Sequence, residues 1–269
     1  MTLNFFPPRT QFLSRLIIKS FSMGCYDLAR EPRFWSSWKG QIIRAIVLDG
    51  VYTRNGLLKT TGLNETQFET AFDELFHAEL LIEKDKDRFW VNSSELCNEY
   101  REFFGKIQEA LIDWLYKWRR RKRINAELNH FFLEDKILDE LSEKLIENAN
   151  VDVLVVNPFV ERCHLSNTLM SAIEKGISVR LVTRSPTSEK YQYQKKKQNY
   201  HSKLKEKGVS ITYDDSVHAK LIVIDRAVAT VSSMNFVASS SGGGSWEAGL
   251  VTVERNVVQS VARSIINRL

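Results

Sequence analysis

The sequence predicts an α/β fold for its second half, a mixed, mostly parallel sheet covered by helices, preceded by a mainly helical unit. Three observations lead there. From about residue 126 onward, apolar runs of strand length alternate with segments of helix length, the pattern of strands covered on both sides. Before residue 125 the apolar residues recur with helical periodicity and few runs alternate strictly. At 269 residues, 43% hydrophobic and 26% charged, the chain has the composition of a folded protein with room for two domains. The expected division is therefore 1–125 and 126–269.

The opening MTLNFFPPRTQFLSRLIIKSF is basic and free of acids, but Arg9, Arg15 and Lys19 interrupt any signal-peptide core. A helix after Pro7-Pro8 is expected instead. Ile42, Ile43, Ile46 and Val47 form the stripe of an amphipathic helix ending at Gly50. TRNGLLKTTGLNETQFETAFDELFHAELLI reads as a short helix, a turn at Gly62 and a longer helix capped by Asn64, with Phe68, Phe72, Leu75 and Phe76 on its apolar face. LIEKDKDRFWV follows as two extended runs around a charged turn. Helix, helix-turn-helix and hairpin in this order resemble a winged helix, a fold that usually reads DNA with the second helix of the turn. Here that helix carries Glu65, Glu69, Asp73 and Glu74 and no Lys or Arg, a charge that phosphates repel. Packing or dimer contacts and DNA reading both stay open, the latter favoured by Lys84, Lys86 and Arg88 on the wing.

A long helix from about Ser94 ends in WLYKWRRRKR, where Trp114, Tyr116 and Trp118 interleave with Lys117, Arg119, Arg120, Arg121, Lys122 and Arg123. Five consecutive cations exceed what the negative pole of a helix dipole needs, and aromatics beside them suit nucleic-acid bases. The second half then reads in order as strand (VDVLVVNPFV), helix (LSNTLMSAIEKG), strand (ISVRLVTRS), helix (YQYQKKKQNYHSKLKEKG), strand (VSITYDD), the runs HAKLIVID, AVATVS and GLVTVE, and a last helix (NVVQSVARSIINRL). The middle helix is a second basic tract, with Lys190, Lys195, Lys196, Lys197, Lys203, Lys205 and Lys207. SSSGGGS reads as a flexible loop. The formal charge of +5 and pI near 9.0 acquire meaning from these two tracts, which suit a polyanionic backbone such as DNA or RNA.

Cys25, Cys97 and Cys163 are odd in number and in no ligand spacing, so free thiols in a reducing, cytoplasmic setting are expected. No apolar run approaches a membrane span, and no metal-ligand cluster is visible, so neither membrane association nor a cofactor is expected.

The chemistry concentrates at residues 217–236, VHAKLIVIDRAVATVSSMNF. Side chains alternate along a strand, so His218 and Lys220 project together from one face while Asp225 lies on the other. His218, Lys220 and Asp225 form H-x-K-x4-D; Ser232-Ser233-Met234-Asn235 follows, and Glu247 stands twelve residues beyond Asn235. This spacing resembles the phospholipase D superfamily, and within it the small, single-motif nucleases, over roughly the second half of the chain. The resemblance implies a phosphodiesterase in which His218 is the nucleophile, forming a phosphohistidine. Lys220 and Asn235 would hold the phosphate oxygens, Ser233 would add a hydroxyl, and Glu247 would accept the His218 N–H to fix its orientation. Asp225 would be structural, beneath the site. Ser232 stands where the family has Gly. A second imidazole must protonate the leaving group. His77, His130 and His164 lack a Lys two residues on, and His201, although followed by Lys203, lies in the basic helix and not in a comparable strand, so the resemblance implies a homodimer that pairs two copies of His218. The expected activity is a metal-independent endonuclease; a phospholipase or lipid phosphatidyltransferase, and a non-enzymatic winged-helix regulator, are the alternatives.

Overall fold

The computed structural model describes residues 37–92, 94–124, 129–188, 191–242 and 244–269. The helix expected after Pro7-Pro8, Cys25 and Lys190 lie outside the described residues. The chain forms two compact units, Met1–Phe104 and Gly105–Leu269, dividing inside a helix that the sequence expectation kept whole by placing its boundary at 125.

In the first unit, α1 (Trp38–Val47) is capped by the Ser37 hydroxyl, and α2 (Arg54–Thr61) by that of Thr53. Gly62, at φ 68°, takes the left-handed conformation that ends α2 and turns the chain. A capping box between Asn64 and Gln67 starts α3 (Glu65–His77). Strands β1 (Leu81–Asp85) and β2 (Arg88–Val91) form an antiparallel hairpin whose turn carries Asp87 at φ 58°. Ile42, Ile43, Leu57, Phe68, Leu75 and Phe89 are buried in this unit, whereas Phe76 stays exposed. The element order and the hairpin make it a winged-helix-like domain. The acids of α3 are largely used inside it: Glu69 pairs with Arg54, and Glu74 lies 2.8 Å from Lys39. On the wing, Trp90 stacks on Tyr52 at 5.1 Å, with Lys84 and Arg88 each 5.7 Å from its ring.

Helix α4 (Ser94–Arg121) leads to the second unit. There follow β3 (His130–Glu134), α5 (Asp135–Glu147), β4 (Asp152–Val156), α6 (His164–Glu174), β5 (Ser178–Thr183), α7 (Tyr191–Glu206), β6 (Ser210–Tyr213), β7 (Leu221–Ile224), β8 (Val228–Ser232), β9 (Ala248–Thr252) and α8 (Arg255–Ile266). One seven-stranded sheet has the order β3-β9-β8-β7-β4-β5-β6. On one face Leu115, Leu138, Leu145, Leu165, Leu169 and Leu204 pack the helices against it. On the other, Val258, Ala262 and Ile265 of α8 cover Leu154, Val182, Val223 and Ala229.

The sheet is mixed and helix-covered as expected, but it is not mostly parallel. Parallel pairing is confined to β4–β5 and β5–β6, and every other neighbouring pair is antiparallel. Connection length explains this. Asp225, Arg226 and Ala227 alone join β7 to β8, with Asp225 and Arg226 at φ 48° and 51°, a tight hairpin that leaves no chain for a crossover helix. Two elements have no counterpart in the sequence reading: the edge strand β3, alternately buried and exposed, and α5, whose Leu138, Leu141 and Leu145 are buried at helical spacing.

Asp225 anchors the hairpin. Its buried carboxylate accepts the backbone N–H groups of Asn150 (2.8 Å), Val151 (2.8 Å) and Asp152 (3.0 Å), at the entry to β4. Beside it, the Asp152 carboxylate accepts from Arg180 at 2.9 Å and Arg226 at 3.0 Å, and the Gln108 amide clamps the Asp225 and Arg226 carbonyls.

His201, on α7, is buried between the Val160 carbonyl (3.1 Å) and the Tyr213 hydroxyl (3.3 Å). Burial, aided by Lys197 and Lys205 and opposed by the Val160 hydrogen bond, lowers its pKa to about 4. The unfolded chain therefore takes up this proton near the ordinary 6.5 while the folded one resists it, and stability falls as pH drops from 6.5 toward 4. Asp225, pushed up to about 6 by burial and by Asp152, acts in the opposite sense between its ordinary 3.8 and about 6. Denaturant unfolding of wild type and His201→Phe at pH 7.5 and 4.5 isolates the histidine. Wild type should lose up to about 3 kcal/mol more than the variant on acidification; equal losses would contradict the assignment.

Candidate active site

Because β7 runs antiparallel to β4, with Leu221 opposite Val156, its beginning lies at the carboxyl ends of β4 and β5. Ligand sites of α/β sheets commonly form at such ends. His218 stands here, exposed, its ring without a hydrogen bond among the described residues. Lys220 is half-buried, and its ammonium donates to the His218 carbonyl at 2.9 Å. Burial lowers the Lys220 pKa from its ordinary value; the Glu247 carboxylate opposes this and the Arg184 guanidinium adds to it. The Ser232 N–H donates to the Lys220 carbonyl at 3.1 Å, so the end of β8 lies against the same residues.

Glu247, at the start of β9, is buried. Its carboxylate accepts the hydroxyls of Ser233 and Ser240. Its backbone is tied to the start of α5: the Glu247 N–H donates to the Asp135 carboxylate (3.0 Å), and the Asp135 N–H to the Glu247 carbonyl (2.8 Å). Ser240 also accepts the Asn235 N–H at 2.8 Å, joining the two loop residues through one hydroxyl. The Asn235 side-chain oxygen is buried without a hydrogen-bond partner among the described residues. An unpaired buried acceptor is costly, and what it calls for is a hydrogen-bond donor, which a phosphodiester oxygen is not.

Several expected site residues thus stand elsewhere than the sequence placed them. The Glu247 oxygens are engaged by two serines, and no described hydrogen bond joins Glu247 to His218. Ser233 turns its hydroxyl to Glu247. Asp225 is structural as expected, accepting backbone N–H groups, but it does so at the far end of β7, five residues or about 16 Å of extended chain from Lys220. Ser232 does not need the freedom of glycine: it ends β8 outside the positive-φ region, and its hydroxyl accepts the Met234 N–H at 3.3 Å. The steric demand falls on its cross-strand partner Gly249, where a Cβ would lie 2.9 Å from the Ser232 Cβ.

The SSSGGGS tract is not merely a flexible loop. Ser240 and Ser241 are buried, and Ser241 lies 3.3 Å from the His164 imidazole, which pairs with Asp139 at 3.0 Å. Gly242 has φ 122°, and a Cβ on Gly244 would meet the Ser239 carbonyl at 2.5 Å, so glycine is required there. Asn157 was also missed. Buried just after β4, it donates to the Met234 carbonyl at 3.1 Å and accepts from Phe159 and Phe236, pinning the loop before Asn235's neighbours to the central sheet. A polar residue ending the apolar run VLVV was the available signal.

The family model for the phospholipase D-like domain of cardiolipin synthase matches residues 143–269. Residues 143–269 thus match a phospholipase D-like domain. No curated protein sequence matches the chain. Among solved structures it is similar to Nuc, a phospholipase D family member from Salmonella typhimurium, at 14% identity and TM-score 0.45 over 52% of this chain and 93% of that one. NucT from Helicobacter pylori gives 12% and 0.42 over 53% and 98%. TrmBL2, an archaeal chromatin protein, gives 13% and 0.38 over 86% and 90%.

Of the cations expected to contact a nucleic acid, Arg120, Arg121, Lys122, Arg123, Lys195 and Lys196 are exposed. Lys122 pairs with Glu140 at 2.7 Å. Trp118 is buried in the core and presents no ring for stacking on a base. Arg119 is half-buried, 5.0 Å from the Tyr116 ring, and Lys197 is buried, 5.6 Å from that of Phe159. Among the described residues, no group of three or more His, Cys, Asp or Glu is arranged to hold a metal ion, and no helix is long and apolar enough to cross a membrane.

Ser240→Ala removes a donor to Glu247 and an acceptor for Asn235 together. It should cost about 1–3 kcal/mol in denaturant unfolding, the penalty of unpaired buried groups. Combined with Glu247→Gln, the losses should be less than additive; strict additivity would mean that the two do not act as one unit.

Proposed function

We propose that the chain is a metal-independent phosphodiesterase, an endonuclease that hydrolyses DNA or RNA through a phosphohistidine in a homodimeric site. The observation that carries this reading is the convergence of an exposed His218 and the Lys220 ammonium at one sheet end, with the buried Glu247 carboxylate behind them. An imidazole nitrogen of His218 attacks phosphorus and the bond to the leaving oxygen breaks. Lys220 and Asn235 stabilise the charge on the non-bridging oxygens. A second imidazole protonates the leaving alkoxide, then takes a proton from the water that attacks phosphorus and releases His218.

The other described histidines supply no obvious second imidazole. His201 is held by Val160 and Tyr213, and His164 by Asp139 and Ser241. His130, opposite Thr252, is at the far end of β9 from Glu247, and His77 belongs to the winged-helix-like unit. His218 of a second copy therefore completes the reaction, which makes dimerisation part of the activity. The exposed cations on α4 and α7 support a nucleic-acid strand as substrate. The winged-helix-like unit, with Glu69, Asp73 and Glu74 of α3 paired internally, serves packing, dimer contacts or DNA positioning through its wing.

The test is cleavage of single- and double-stranded DNA by the purified protein in excess EDTA, beside His218→Ala. Wild type should cleave, and the variant should lose activity by at least about a thousandfold. Abolition by EDTA would contradict the metal-free mechanism. Hydrolysis of phosphatidylcholine micelles without cleavage of DNA would move the assignment to the phospholipase reading. Light scattering should give a dimer; an active monomer would contradict the paired-histidine site.

A further inference from the structure

We propose that Arg184 is a second phosphate-binding residue of this site, holding the phosphate next to the scissile one on a nucleic-acid strand. The inference rests on the phosphodiesterase reading and names a polyanion as its substrate class.

Arg184 follows β5 directly, at the sheet end where β7 begins. Its Nε donates to the Val217 carbonyl at 2.8 Å, which fixes the guanidinium against the residue before His218. That uses one of five N–H donors. Neither Nη group has a hydrogen bond among the described residues, and no described carboxylate forms an ion pair with Arg184. The acids of the preceding loop are turned elsewhere: Asp214 accepts from Ser216 and Arg268, and Asp215 accepts the Ser185 N–H. The guanidinium carbon lies 5.4 Å from the ring centroid of half-buried Phe159.

A guanidinium restrained at Nε and against an aromatic ring, with both Nη groups open, suits an oxyanion in bidentate fashion. It is also near enough to Lys220 to lower that ammonium's proton affinity, although burial is the larger cause. The site therefore presents two cationic groups, Lys220 and Arg184, of which Lys220 alone also faces the Glu247 carboxylate. Lys220 and Asn235 suffice for the scissile phosphate, which leaves Arg184 for a second anionic group. A nucleic-acid strand presents phosphates in series, whereas a simple diester presents one.

The experiment compares wild type, Arg184→Gln and Arg184→Lys in EDTA on a single-stranded oligonucleotide and on bis(p-nitrophenyl) phosphate, with oligonucleotide binding followed across salt concentrations. Gln keeps an N–H donor for Val217 but removes the charge; Lys keeps the charge. Arg184→Gln should lower the preference for the oligonucleotide over the simple diester at least tenfold. It should also reduce the slope of log affinity against log salt by about 0.7, one phosphate contact on a single strand. Arg184→Lys should restore the slope. Equal losses on both substrates, or an unchanged salt slope, would overturn the proposal while leaving the phosphodiesterase reading intact. Failure of wild type to hydrolyse either substrate would overturn that reading and this inference with it.

Discussion

The arrangement of the site depends on keeping the Glu247 carboxylate inside the protein. Burying a carboxylate is unfavourable unless hydrogen-bond donors replace water, and here the Ser233 and Ser240 hydroxyls do so. Each serine is bound a second time. Ser233 accepts the Ala248 N–H, and Ser240 accepts that of Asn235, so satisfying one charge also sets the path of the chain from the end of β8 to the start of β9. The Asp135–Glu247 backbone pair ties the same point to α5. The phosphate-facing groups proposed for the site therefore hang on a closed set of hydrogen bonds, each of which restricts its neighbours.

The opposite end of β7 meets a different constraint. Asp225 is fully engaged with three backbone N–H groups, and Asp152 lies between Arg180 and Arg226. This buried polar network holds the β7–β8 hairpin in register with β4. A one-residue slip there would reverse the face on which Lys220 projects. Anchoring one strand end and placing the reactive groups at the other separates stability from chemistry. It also explains why the H-x-K-x4-D pattern spans both ends of β7 although only His218 and Lys220 reach the candidate site.

Much of this was legible in the sequence. The H-x-K spacing drew attention to the chain just before β7, although His218 and Lys220 themselves stand outside the strand where period-two alternation would apply, and Gly62, Asn64 and the charged turn before Arg88 marked the winged-helix-like order. What was hidden depended on tertiary partners. No local signal says that β7 turns back along β4 instead of crossing over, though the three-residue connection to β8 shows it in retrospect. The partners of Glu247 lie in a serine–glycine tract whose composition suggests a flexible loop, and burial alone gives those serines their role. Trp118 was within reach: it follows Leu111 and Leu115 at helical spacing, so it shares their buried face, but the adjacent cations drew the reading outward. The same proximity misplaced Lys197, which lies on the inner side of α7 while Lys195 and Lys196 face outward.

The central claim is that His218 bonds covalently to phosphorus, and mass spectrometry of an acid-free quench tests it most directly. Wild type mixed with an oligonucleotide in EDTA and stopped within the first turnovers should carry a nucleotidyl adduct on the His218 peptide. That adduct should be stable to alkali, lost in acid and missing from His218→Ala. Substrate cleavage with the adduct on another residue, or undiminished cleavage by His218→Ala, would contradict the account.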